Sequence, residues 1–309
     1  MRHIRSVVIC GAGAVGSSYA ERFHDLDPAA VAVVARGERR ARLQRGGLTV
    51  NGRSFAVRCV GPGEGTAPAD LLLVAVKHHH LPAAIEDVRE LVGDETIIVP
   101  LLNGITSEAI LARAFGAERI LHAFALGNDV VREGAHTRYS SIGKLVFGAA
   151  SNDPSDPRVA AVKEILDRAA IPSVVPKDIL REQWWKFMLN VGVNQVSAVL
   201  RAPYRAFRDV PEVRELTRRA ASEAVAIAQA EGIHLTAGDV DGIFPIVAAL
   251  APEGKTSMLQ DIEARRKTEV EIFAGTVIER GALHGLPTPV NELLATMIAA
   301  LEKLAGVTR

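Results

Sequence analysis

The 309-residue chain contains only two cysteines, Cys10 and Cys59, and they form neither a CxxC pair nor a spaced set of metal ligands. A disulfide scaffold is therefore not expected, and a reducing compartment is favoured. Net charge is also absent, because 36 basic and 36 acidic side chains cancel. No global field then favours nucleic acid or an anionic membrane, so any positively charged site must be local.

The chain also lacks long hydrophobic runs. The apolar run after Met1 begins a strand and is interrupted by glycines from Gly11, so it does not have the form of a signal peptide. No later segment approaches the length of a membrane span, and we expect a cytoplasmic protein. The remaining composition, 48% hydrophobic and 23% charged residues, is ordinary for a globular protein, and the length is sufficient for two domains.

The first half alternates short apolar runs with helical segments. Four continuously apolar runs have the composition of strands buried on both faces: VVIC (7–10), VAVVA (31–35), LLLVAV (71–76) and TIIVPLL (96–102). Helix-forming sequence separates them at residues 14–25, 37–46 and 81–93. This alternation predicts an α/β domain with a parallel sheet.

Two further segments of the first half predict additional strands. In LTVNGRSFAVRCV (48–60), two strand-like runs flank Asn51-Gly52, the best short hairpin signal, so we expect an antiparallel ribbon there. HTRYSSIGKLVFG (136–148) has the pattern of another pair of strands that closes the domain.

After about Pro176 the pattern changes to helices. Residues 214–232, the long stretch from Met258 to about His284, and residues 289–306 have helical periodicity, and no convincing strand remains. We therefore predict an α/β domain over residues 1–176 and an all-α domain over residues 177–309.

The first predicted strand is followed at once by GAGAVG, residues 11–16. In a G-x-G-x-x-G turn after a strand, the first glycine allows the turn, the second lets the backbone approach a pyrophosphate, and the third lets the helix pack on the sheet. The amides of the following helix then face the anion. Glycine corners are common, but this one has a strand before it and a helix after it, and it opens a βαβ array. The pattern predicts that Gly11, Gly13 and Gly16 hold a dinucleotide.

The preferred cofactor depends on the residue after the second strand, about 20 positions beyond the glycines. Proteins that bind NAD have a carboxylate there, whereas this chain has Arg36, with Arg39 and Arg40 close behind. Because a guanidinium can meet a 2′-phosphate, Arg36 favours NADP over NAD. For Arg39 and Arg40, a solvated helix face is at least as good an interpretation. A methyltransferase could also have a glycine-rich turn, but it would usually place an acidic residue at position 36.

The helix predicted for WWKFMLNVGVNQVSAVL (184–200) has a polar stripe on one face. Lys186, Asn190 and Asn194 are spaced four residues apart in an otherwise apolar segment. Hydrogen bonding between helices explains such a stripe about as well as catalysis does. In the catalytic interpretation, Lys186 donates a proton to a substrate carbonyl oxygen, and the two amides bind the substrate's other oxygens.

A second cluster of polar residues lies in TSMLQDIEARRKTEVEIFAG (256–275). Ser257 is expected to cap the N-terminus of a helix, with Gln260 three residues later completing a capping box. Glu269 lies among other charged residues, which by themselves predict a solvated helix face. Taken alone, neither Ser257 nor Glu269 indicates chemistry.

Five motifs together resemble the ketopantoate reductase family: GAGAVG, VAVK (74–77), LLNGI (101–105), WWKFMLNVGVN and SMLQDIEARRKTEVE. They follow the order and approximate spacing of the family over nearly the whole chain, and the last two are much more specific than the glycines. The resemblance implies an N-terminal Rossmann-type dinucleotide-binding domain and an all-α C-terminal domain, a 6-phosphogluconate-dehydrogenase-like architecture. It further implies that NADPH reduces the 2-oxo group of ketopantoate to pantoate, in pantothenate biosynthesis.

The resemblance also assigns roles to residues. It implies that Lys186 is the general acid and that Glu269 is an active-site carboxylate near Lys186 and the cofactor. The substrate would contact Asn190, Asn194, Ser257 and Asn103. The NADP(H) cofactor would contact Gly11, Ala12, Gly13, Ala14, Val15, Gly16, Arg36, Lys77, Asn103 and Glu269. His78, His79 and His80 follow Lys77, but no carboxylate or cysteine spacing supports a metal site.

Two positions depart from the family pattern. Family members often have asparagine three residues before the substrate-binding serine, where this chain has Gly254. They can also have asparagine directly after the proline that follows the lysine helix, where this chain has Tyr204. Both positions belong to the family's substrate pocket, so reduction of another 2-oxoacid is an alternative. A non-catalytic regulator that senses NADP is an alternative of another class, but it would need only the first domain. The expected partner is a small 2-oxoacid substrate, and neither nucleic acid nor a membrane is expected. The protein is expected to be a monomer or a homodimer.

Overall fold

The computed structural model describes residues 3–64 and 67–307, which divide into two compact units. The first unit ends at Ile179, and the second begins at Leu180. All strands of the described residues lie in the first unit, and the second is built from helices. The predicted fold class, an α/β domain followed by an all-α domain, is confirmed.

The first unit contains twelve strands and five α-helices among its described residues. The strands are β1 (Val7–Cys10), β2 (Val31–Val34), β3 (Leu48–Val50), β4 (Arg53–Phe55), β5 (Arg58–Val60), β6 (Leu71–Val74), β7 (Ile97–Pro100), β8 (His122–Leu126), β9 (Val131–Glu133), β10 (His136–Arg138), β11 (Lys144–Gly148) and β12 (Ser173–Val174). The helices are α1 (Ala14–Leu26), α2 (Gly37–Gly46), α3 (Leu81–Val88), α4 (Ser107–Phe115) and α5 (Pro157–Arg168). Short 3-10 turns occupy His78–His80, Arg89–Leu91 and Ala117–Arg119.

Five parallel strands form the main sheet, in the order β5-β2-β1-β6-β7. Alternate strand residues enter two separate hydrophobic clusters, because helices cover both faces. On one face, Ile9 joins Tyr19 and Phe23 of α1, and on the other, Val8 joins Leu81 of α3. The chain leaves β1 toward β2 on one side and later returns to β6 on the other. Ligands of such sheets bind beyond the carboxyl ends of the strands at this point of divergence.

The predicted strands and helices of the main sheet are confirmed, but the predicted antiparallel ribbon is corrected in part. Asn51 and Gly52 have positive φ angles of 48° and 81° and connect β3 to β4, as a primed hairpin turn requires. The last run of the predicted ribbon, β5, does not belong to it and pairs in parallel with β2. The two strands predicted within residues 136–148 are present as β10 and β11, but they belong to different sheets, because β10 pairs with β9 and β3, whereas β11 pairs with β8 and β12. Gly134, with a φ of 60°, lies in the turn that joins β9 to β10.

The second unit is formed by eight helices within its described residues. They are α6 (Ile179–Leu200), α7 (Ala206–Asp209), α8 (Pro211–Ala230), α9 (Ala237–Asp241), α10 (Ile243–Ala248), α11 (Ser257–Glu263), α12 (Ala274–His284) and α13 (Pro289–Leu304). A 3-10 turn occupies Val270–Ile272. Within residues 3–64 and 67–307, no helix combines the length and the hydropathy of a membrane span.

The stretch from Met258 to His284 is not one helix, contrary to its helical periodicity. Helix α11 ends at Glu263, and Arg265 adopts a left-handed φ of 52°, a conformation typical of helix ends. Beyond it, the backbone amide and hydroxyl of Thr268 both donate to buried Glu302, at 2.8 and 2.6 Å. This contact with α13 keeps the segment around Thr268 out of helix α11. Sequence periodicity cannot predict such a contact between distant residues.

Helix α6 is buried along most of its length, which explains its apolar sequence. It approaches α8 closely at Gly192, where a Cβ atom would lie 3.1 Å from Thr217. One of its buried polar residues, Gln195, donates to Asn291 at 2.9 Å. Interhelical hydrogen bonding therefore accounts for Gln195, which does not belong to the polar stripe of this helix.

Candidate active site

The three motif glycines make different demands on the turn after β1. Gly11 has a φ of 103°, and a Cβ atom there would lie 2.5 Å from the Ala75 carbonyl oxygen. At Gly16, a Cβ atom would lie 1.9 Å from the Gly11 carbonyl oxygen. The fold itself therefore requires glycine at both positions.

Gly13 is different because the protein itself does not require a glycine there. It has an ordinary φ of −77°, and the atom nearest to the place that a Cβ would occupy is the Ala75 carbonyl oxygen, at 4.0 Å. The space in front of Gly13 adjoins the N-terminus of α1, where backbone amides favour an anion. This turn fits a dinucleotide pyrophosphate. Since the fold does not require glycine at position 13, close approach of the pyrophosphate to the backbone explains the glycine there.

The other predicted cofactor residues of the first unit follow three strands at the carboxyl edge of the main sheet, with β2 and β6 on either side of β1 and β7 next to β6. Arg36 follows β2, Lys77 follows β6, and Asn103 follows β7. Lys77 and Asn103 are half-buried, and Arg36 is exposed. The guanidinium of Arg36 forms an ion pair with Asp87 of α3, with 3.2 Å between Nη1 and Oδ1. The sequence did not reveal Asp87, because an acidic residue on a helix gives no signal of its own.

Arg132 of β9 is a further cation at the glycine turn. Its Nη1 donates to the Ala12 carbonyl oxygen and, at 3.1 Å, to Ser17 Oγ. Burial lowers the pKa of Arg132, and the nearby charges of Arg39 and Arg42 lower it further. No carboxylate among the described residues forms an ion pair with Arg132. Sequence reasoning missed this residue because it is far from the glycines along the chain.

The arginines of α2 differ in their surroundings. Arg40 pairs with Glu64, which also accepts a hydrogen bond from the Gly61 amide at 3.0 Å. A structural role therefore accounts for Arg40. Burial and the charge of Arg42 lower the pKa of Arg39, so these two arginines lie in a positively charged region.

The polar stripe on α6 continues into α11. The Asn194 side-chain amide donates to Asn190 Oδ1 at 3.1 Å, and Ser257 Oγ donates to Asn194 Oδ1 at 3.1 Å. Both asparagines are buried, with 3% and 8% of their surfaces exposed. Three of the four residues assigned to the substrate are therefore in one hydrogen-bonded line within the second unit.

The prediction that Ser257 caps a helix is wrong by one residue. Thr256 is the N-cap of α11, and its side chain accepts a hydrogen bond from the Leu259 amide at 3.2 Å. Gln260 donates to the Lys255 carbonyl oxygen instead of completing a capping box. Because Thr256 performs the capping, the Ser257 hydroxyl is available to Asn194.

Lys186 lies one helical turn before Asn190 on the same face of α6. Burial lowers the pKa of Lys186 to about 8. No ion pair of its ammonium group occurs among the described residues. A lysine with a pKa near neutrality can exchange a proton at the pH at which most enzymes work, which is what general acid catalysis needs.

Glu269 is half-buried and immediately precedes the 3-10 turn Val270–Ile272. Its charged neighbours pair with one another, Arg266 with Asp261 and Lys267 with Glu271. The assignment of Glu269 to the active site stays a prediction. Among the described residues, no group of three or more His, Cys, Asp or Glu side chains could hold a metal ion.

Comparison with known proteins gives the family. The profile described as "Ketopantoate reductase PanE/ApbA" matches residues 7–152, and that described as "Ketopantoate reductase PanE/ApbA C terminal" matches residues 178–302. The chain belongs to the ketopantoate reductase family. The resemblance inferred from the motifs is thereby confirmed.

Similar proteins match over nearly their whole lengths. A 2-dehydropantoate 2-reductase from Halobacterium salinarum is 26% identical over 96% of this chain and 99% of its own, and one from Archaeoglobus fulgidus is 27% identical over 97% and 98%. The crystal structure of 2-dehydropantoate 2-reductase from Geobacter metallireducens is 28% identical, with a TM-score of 0.85 over 96% of this chain and 99% of that one. A complex of D-mandelate dehydrogenase with NADH has a TM-score of 0.88 over 97% and 99%, but at 20% identity it shows the fold alone.

Proposed function

We propose that this protein reduces the 2-oxo group of ketopantoate (2-dehydropantoate) to pantoate, with NADPH as the hydride donor. Its family and the names of its relatives support this reaction. The observation that carries the proposal is the line of hydrogen bonds from the buried Asn190 and Asn194 to the exposed Ser257, which begins one helical turn beyond a lysine of low pKa. We further propose that the protein acts in pantothenate biosynthesis in the cytoplasm, on a small molecule rather than on nucleic acid or a membrane.

Lys186 has the chemistry required of the proton donor. When bound, the reduced nicotinamide supplies the hydride for the carbonyl carbon. Negative charge then grows on the carbonyl oxygen, and the ammonium of Lys186 stabilises it and transfers a proton to it. The product alcohol has gained one hydride and one proton, and Lys186 is left neutral until solvent reprotonates it.

The hydrogen-bonded line beyond Lys186 would hold the substrate's other oxygens. Ketopantoate offers a carboxylate and a terminal hydroxyl besides its 2-oxo group. With substrate bound, the Ser257 hydroxyl would turn its one proton from Asn194 Oδ1 to the carboxylate, and the amides of Asn190 and Asn194 would bind the substrate's hydroxyl. Asn103 and Glu269 complete the proposed set, with Asn103 contacting both substrate and cofactor.

The first unit would hold NADP(H). The turn from Gly11 through Ala12, Gly13, Ala14 and Val15 to Gly16 would bind the pyrophosphate with backbone amides. Arg36 would bind the 2′-phosphate. NADP is preferred over NAD in this proposal because the guanidinium occupies the position at which NAD-binding domains have a carboxylate that binds the ribose hydroxyl. Lys77, Asn103 and Glu269 would complete the cofactor contacts.

The alternative of another 2-oxoacid has one structural observation in its favour. The ring of Tyr204 packs so closely on Gly254 that a Cβ atom there would lie 2.8 Å from Tyr204 Cδ2. An aromatic ring thus takes the place of two asparagine side chains, which suits a less polar substrate. The regulator alternative is weaker, because a protein that only senses NADP has no use for the lysine-asparagine-serine arrangement.

The proposal is tested by following NADPH absorbance with a panel of 2-oxoacids that includes ketopantoate, its analogue without the 4-hydroxyl, and an aromatic 2-oxoacid. We expect the highest kcat/KM with ketopantoate, because an unpaired buried polar partner would cost about 1–3 kcal/mol with the analogue. Faster turnover of the analogue or the aromatic compound would support the proposed reaction but show that ketopantoate is not the preferred substrate. NADPH binding without turnover of any 2-oxoacid would support the regulator instead.

A further inference from the structure

The ion pair between Arg36 and Asp87 is neutral as a whole. Arg36 Nη1 lies 3.2 Å from Asp87 Oδ1, and the aspartate side chain is only 18% exposed. A phosphate monoester such as the 2′-phosphate of NADP(H) carries about 1.5 to 2 negative charges at neutral pH. Because the carboxylate of Asp87 offsets the attraction of Arg36 for such a group, a site that selects it needs further cations.

Helix α2 presents two further arginines on the flank that faces the glycine turn. Leu43 is buried and marks the side of α2 that packs on the core. On one flank of Leu43, Arg40 pairs with Glu64 beyond β5. Arg39 and Arg42 lie on the other flank, because successive residues of a helix are about 100° apart. Since β5 and β1 lie on opposite sides of β2, this second flank faces β1 and the turn that follows it.

The charges of Arg39 and Arg42 reach the glycine turn. Burial lowers the pKa of Arg132, which is bound to that turn, and the charges of Arg39 and Arg42 lower it further. Burial and the charge of Asp87 raise the pKa of Cys10, the last residue of β1, and the charge of Arg39 opposes this rise. Three guanidinium groups therefore lie close enough to repel one another. Such a cluster is unfavourable by itself and becomes favourable when an anion binds.

Arg39 and Arg42 have guanidinium groups that are available to an anion. Both residues are exposed, and within residues 3–64 and 67–307 neither side chain forms a hydrogen bond or an ion pair. Arg132 is different, because it already donates to the Ala12 carbonyl oxygen and to Ser17. A guanidinium can bind two phosphate oxygens at once. A solvated helix face would explain the exposure of Arg39, but it does not explain why cations gather beside the turn.

We propose that Arg39 and Arg42 are specificity-determining residues that bind the 2′-phosphate of NADP(H) together with Arg36. This assignment, which rests on the proposed use of NADP(H), places the net positive charge of the site on helix α2. Arg36, held by Asp87, contacts the phosphate from the end of β2. Arg39 and Arg42 contact it from the side of the glycine turn. Arg132 remains bound to that turn and contributes equally to the binding of NADPH and NADH.

The phosphate contact is tested with two ligands that differ only in the 2′-phosphate, adenosine 2′,5′-bisphosphate and AMP. Isothermal titration calorimetry measures the affinity of each for the unmodified protein, Arg39→Gln and Arg42→Gln. We expect Arg39→Gln to weaken binding of the bisphosphate about tenfold or more, and Arg42→Gln, one helical turn farther from β2, about threefold or more. Binding of AMP should change by less than about threefold, because only long-range effects of the lost charge remain.

Two further variants serve as controls for charge and for geometry. Arg45→Gln removes the same charge from another exposed position of α2 and should change neither affinity by more than about twofold. Arg39→Lys keeps the charge but loses the planar fork of the guanidinium. Its affinity for the bisphosphate should therefore lie between those of the unmodified protein and Arg39→Gln.

Steady-state kinetics and thermal unfolding give a second readout. Arg39→Gln should raise KM for NADPH about tenfold or more and leave kcat unchanged, because the 2′-phosphate is bound equally in the ground state and the transition state. The KM for NADH should change little. Removing one of three like charges relieves repulsion, so the thermal midpoint without ligand should not fall, whereas loss of a structural contact would lower it.

The outcomes separate this assignment from the proposed function. Equal losses of bisphosphate and AMP binding, or a lower thermal midpoint, in Arg39→Gln would indicate a structural or general electrostatic role and overturn the assignment. It would also be overturned if Arg39→Gln and Arg42→Gln kept the full preference for the bisphosphate while Arg36→Gln abolished it, a result that leaves the proposed use of NADP(H) intact. If the unmodified protein binds the bisphosphate no more tightly than AMP, the proposed choice of NADP over NAD fails, and this assignment fails with it.

Discussion

Arg36 and Asp87 form an ion pair in which Arg36 Nη1 lies 3.2 Å from Asp87 Oδ1. The arginine side chain is 65% exposed and the aspartate side chain only 18%. The more buried carboxylate thus fixes one edge of the guanidinium, and the rest of it faces solvent beyond the end of β2. This is the position at which a Rossmann-type domain distinguishes a ribose hydroxyl from a 2′-phosphate.

Replacing Arg36 should change the preference between the two nicotinamide cofactors. We expect Arg36→Ala to weaken NADPH binding by about tenfold or more, because a charge-assisted contact with the phosphate is lost. NADH affinity should change little. Fluorescence titration with both cofactors measures the ratio, and Arg45→Ala, at an exposed position later on α2, is the control. An unchanged ratio would exclude Arg36 as the selecting residue.

Arg132 should affect both cofactors equally. Since its guanidinium binds the Ala12 carbonyl oxygen and Ser17, it holds the glycine turn that both cofactors would share. We expect Arg132→Ala to weaken NADPH and NADH by a similar factor, about fivefold or more for a lost charged hydrogen bond. Arg138→Ala on the neighbouring strand β10 is the control. A selective loss of NADPH would instead assign Arg132 to the 2′-phosphate.

Gly13 and Gly16 should respond differently to the same substitution. At Gly16, an alanine Cβ would meet the Gly11 carbonyl oxygen at 1.9 Å, so we expect Gly16→Ala to lower the thermal midpoint or prevent folding. At Gly13, the nearest atom is 4.0 Å away, so Gly13→Ala should fold normally and lose NADPH affinity by about tenfold or more. Differential scanning fluorimetry with and without NADPH compares the two. Normal NADPH binding by Gly13→Ala would contradict a pyrophosphate contact at this position.

The sequence predicted the main sheet because its strands are continuous apolar runs between helices, a pattern that depends on local composition. It failed where long-range contacts decide. The strand β5 looked like half of a hairpin but pairs with β2, and the helical run after Met258 breaks because Thr268 binds Glu302. The motifs placed Lys186, Asn190 and Asn194 on one helix face, but nothing in them indicated that Arg132 reaches Ala12.

Lys186 should make turnover depend on pH. Because proton donation needs the ammonium form, kcat for reduction should fall as pH rises through about 8, the pKa that burial gives this lysine. Lys186→Met should lower kcat by roughly 100-fold or more while NADPH still binds. A pH–rate profile that shows no decline as pH rises above about 8, or near-normal turnover by the variant, would rule out this role.

The same pKa predicts an effect on stability. The unfolded chain keeps this proton up to an ordinary lysine pKa of about 10.4, whereas the folded chain loses it near 8. The charge of Lys186 therefore destabilises the folded state fully below about pH 8, where both states are protonated. Stability contributed at this site should rise as pH increases from about 8 to about 10.4. Lys186→Met should therefore raise the free energy of unfolding at neutral pH by about 1 kcal/mol or more, with a smaller gain at high pH. Denaturant titrations of both proteins at two pH values measure the difference.

Tyr204 and Gly254 should prove interdependent. The Tyr204 amide donates to the Gly254 carbonyl oxygen at 3.0 Å, and its hydroxyl donates to the Lys255 carbonyl oxygen at 3.3 Å. A Cβ atom at Gly254 would lie 2.8 Å from the tyrosine ring and 2.9 Å from the Ala251 carbonyl oxygen. We therefore expect Gly254→Asn alone to destabilise the protein by about 1–3 kcal/mol, as overpacking does. Adding Tyr204→Asn should recover only part of the loss, because the backbone contact with Ala251 remains.

The double variant also tests how this pair affects substrate choice. Two asparagines would supply polar partners for the 4-hydroxyl of ketopantoate, so the ratio of kcat/KM for ketopantoate to that for the analogue without this hydroxyl should rise about tenfold. Steady-state kinetics with both compounds measure the ratio, and Tyr204→Phe is the control that keeps the ring and removes only the hydroxyl. If Tyr204→Phe lowers the ratio in the otherwise unmodified protein, the tyrosine hydroxyl itself recognises the substrate. If neither variant changes the ratio, residues 204 and 254 lie outside the substrate pocket, and Asn190 and Asn194 alone recognise the hydroxyl.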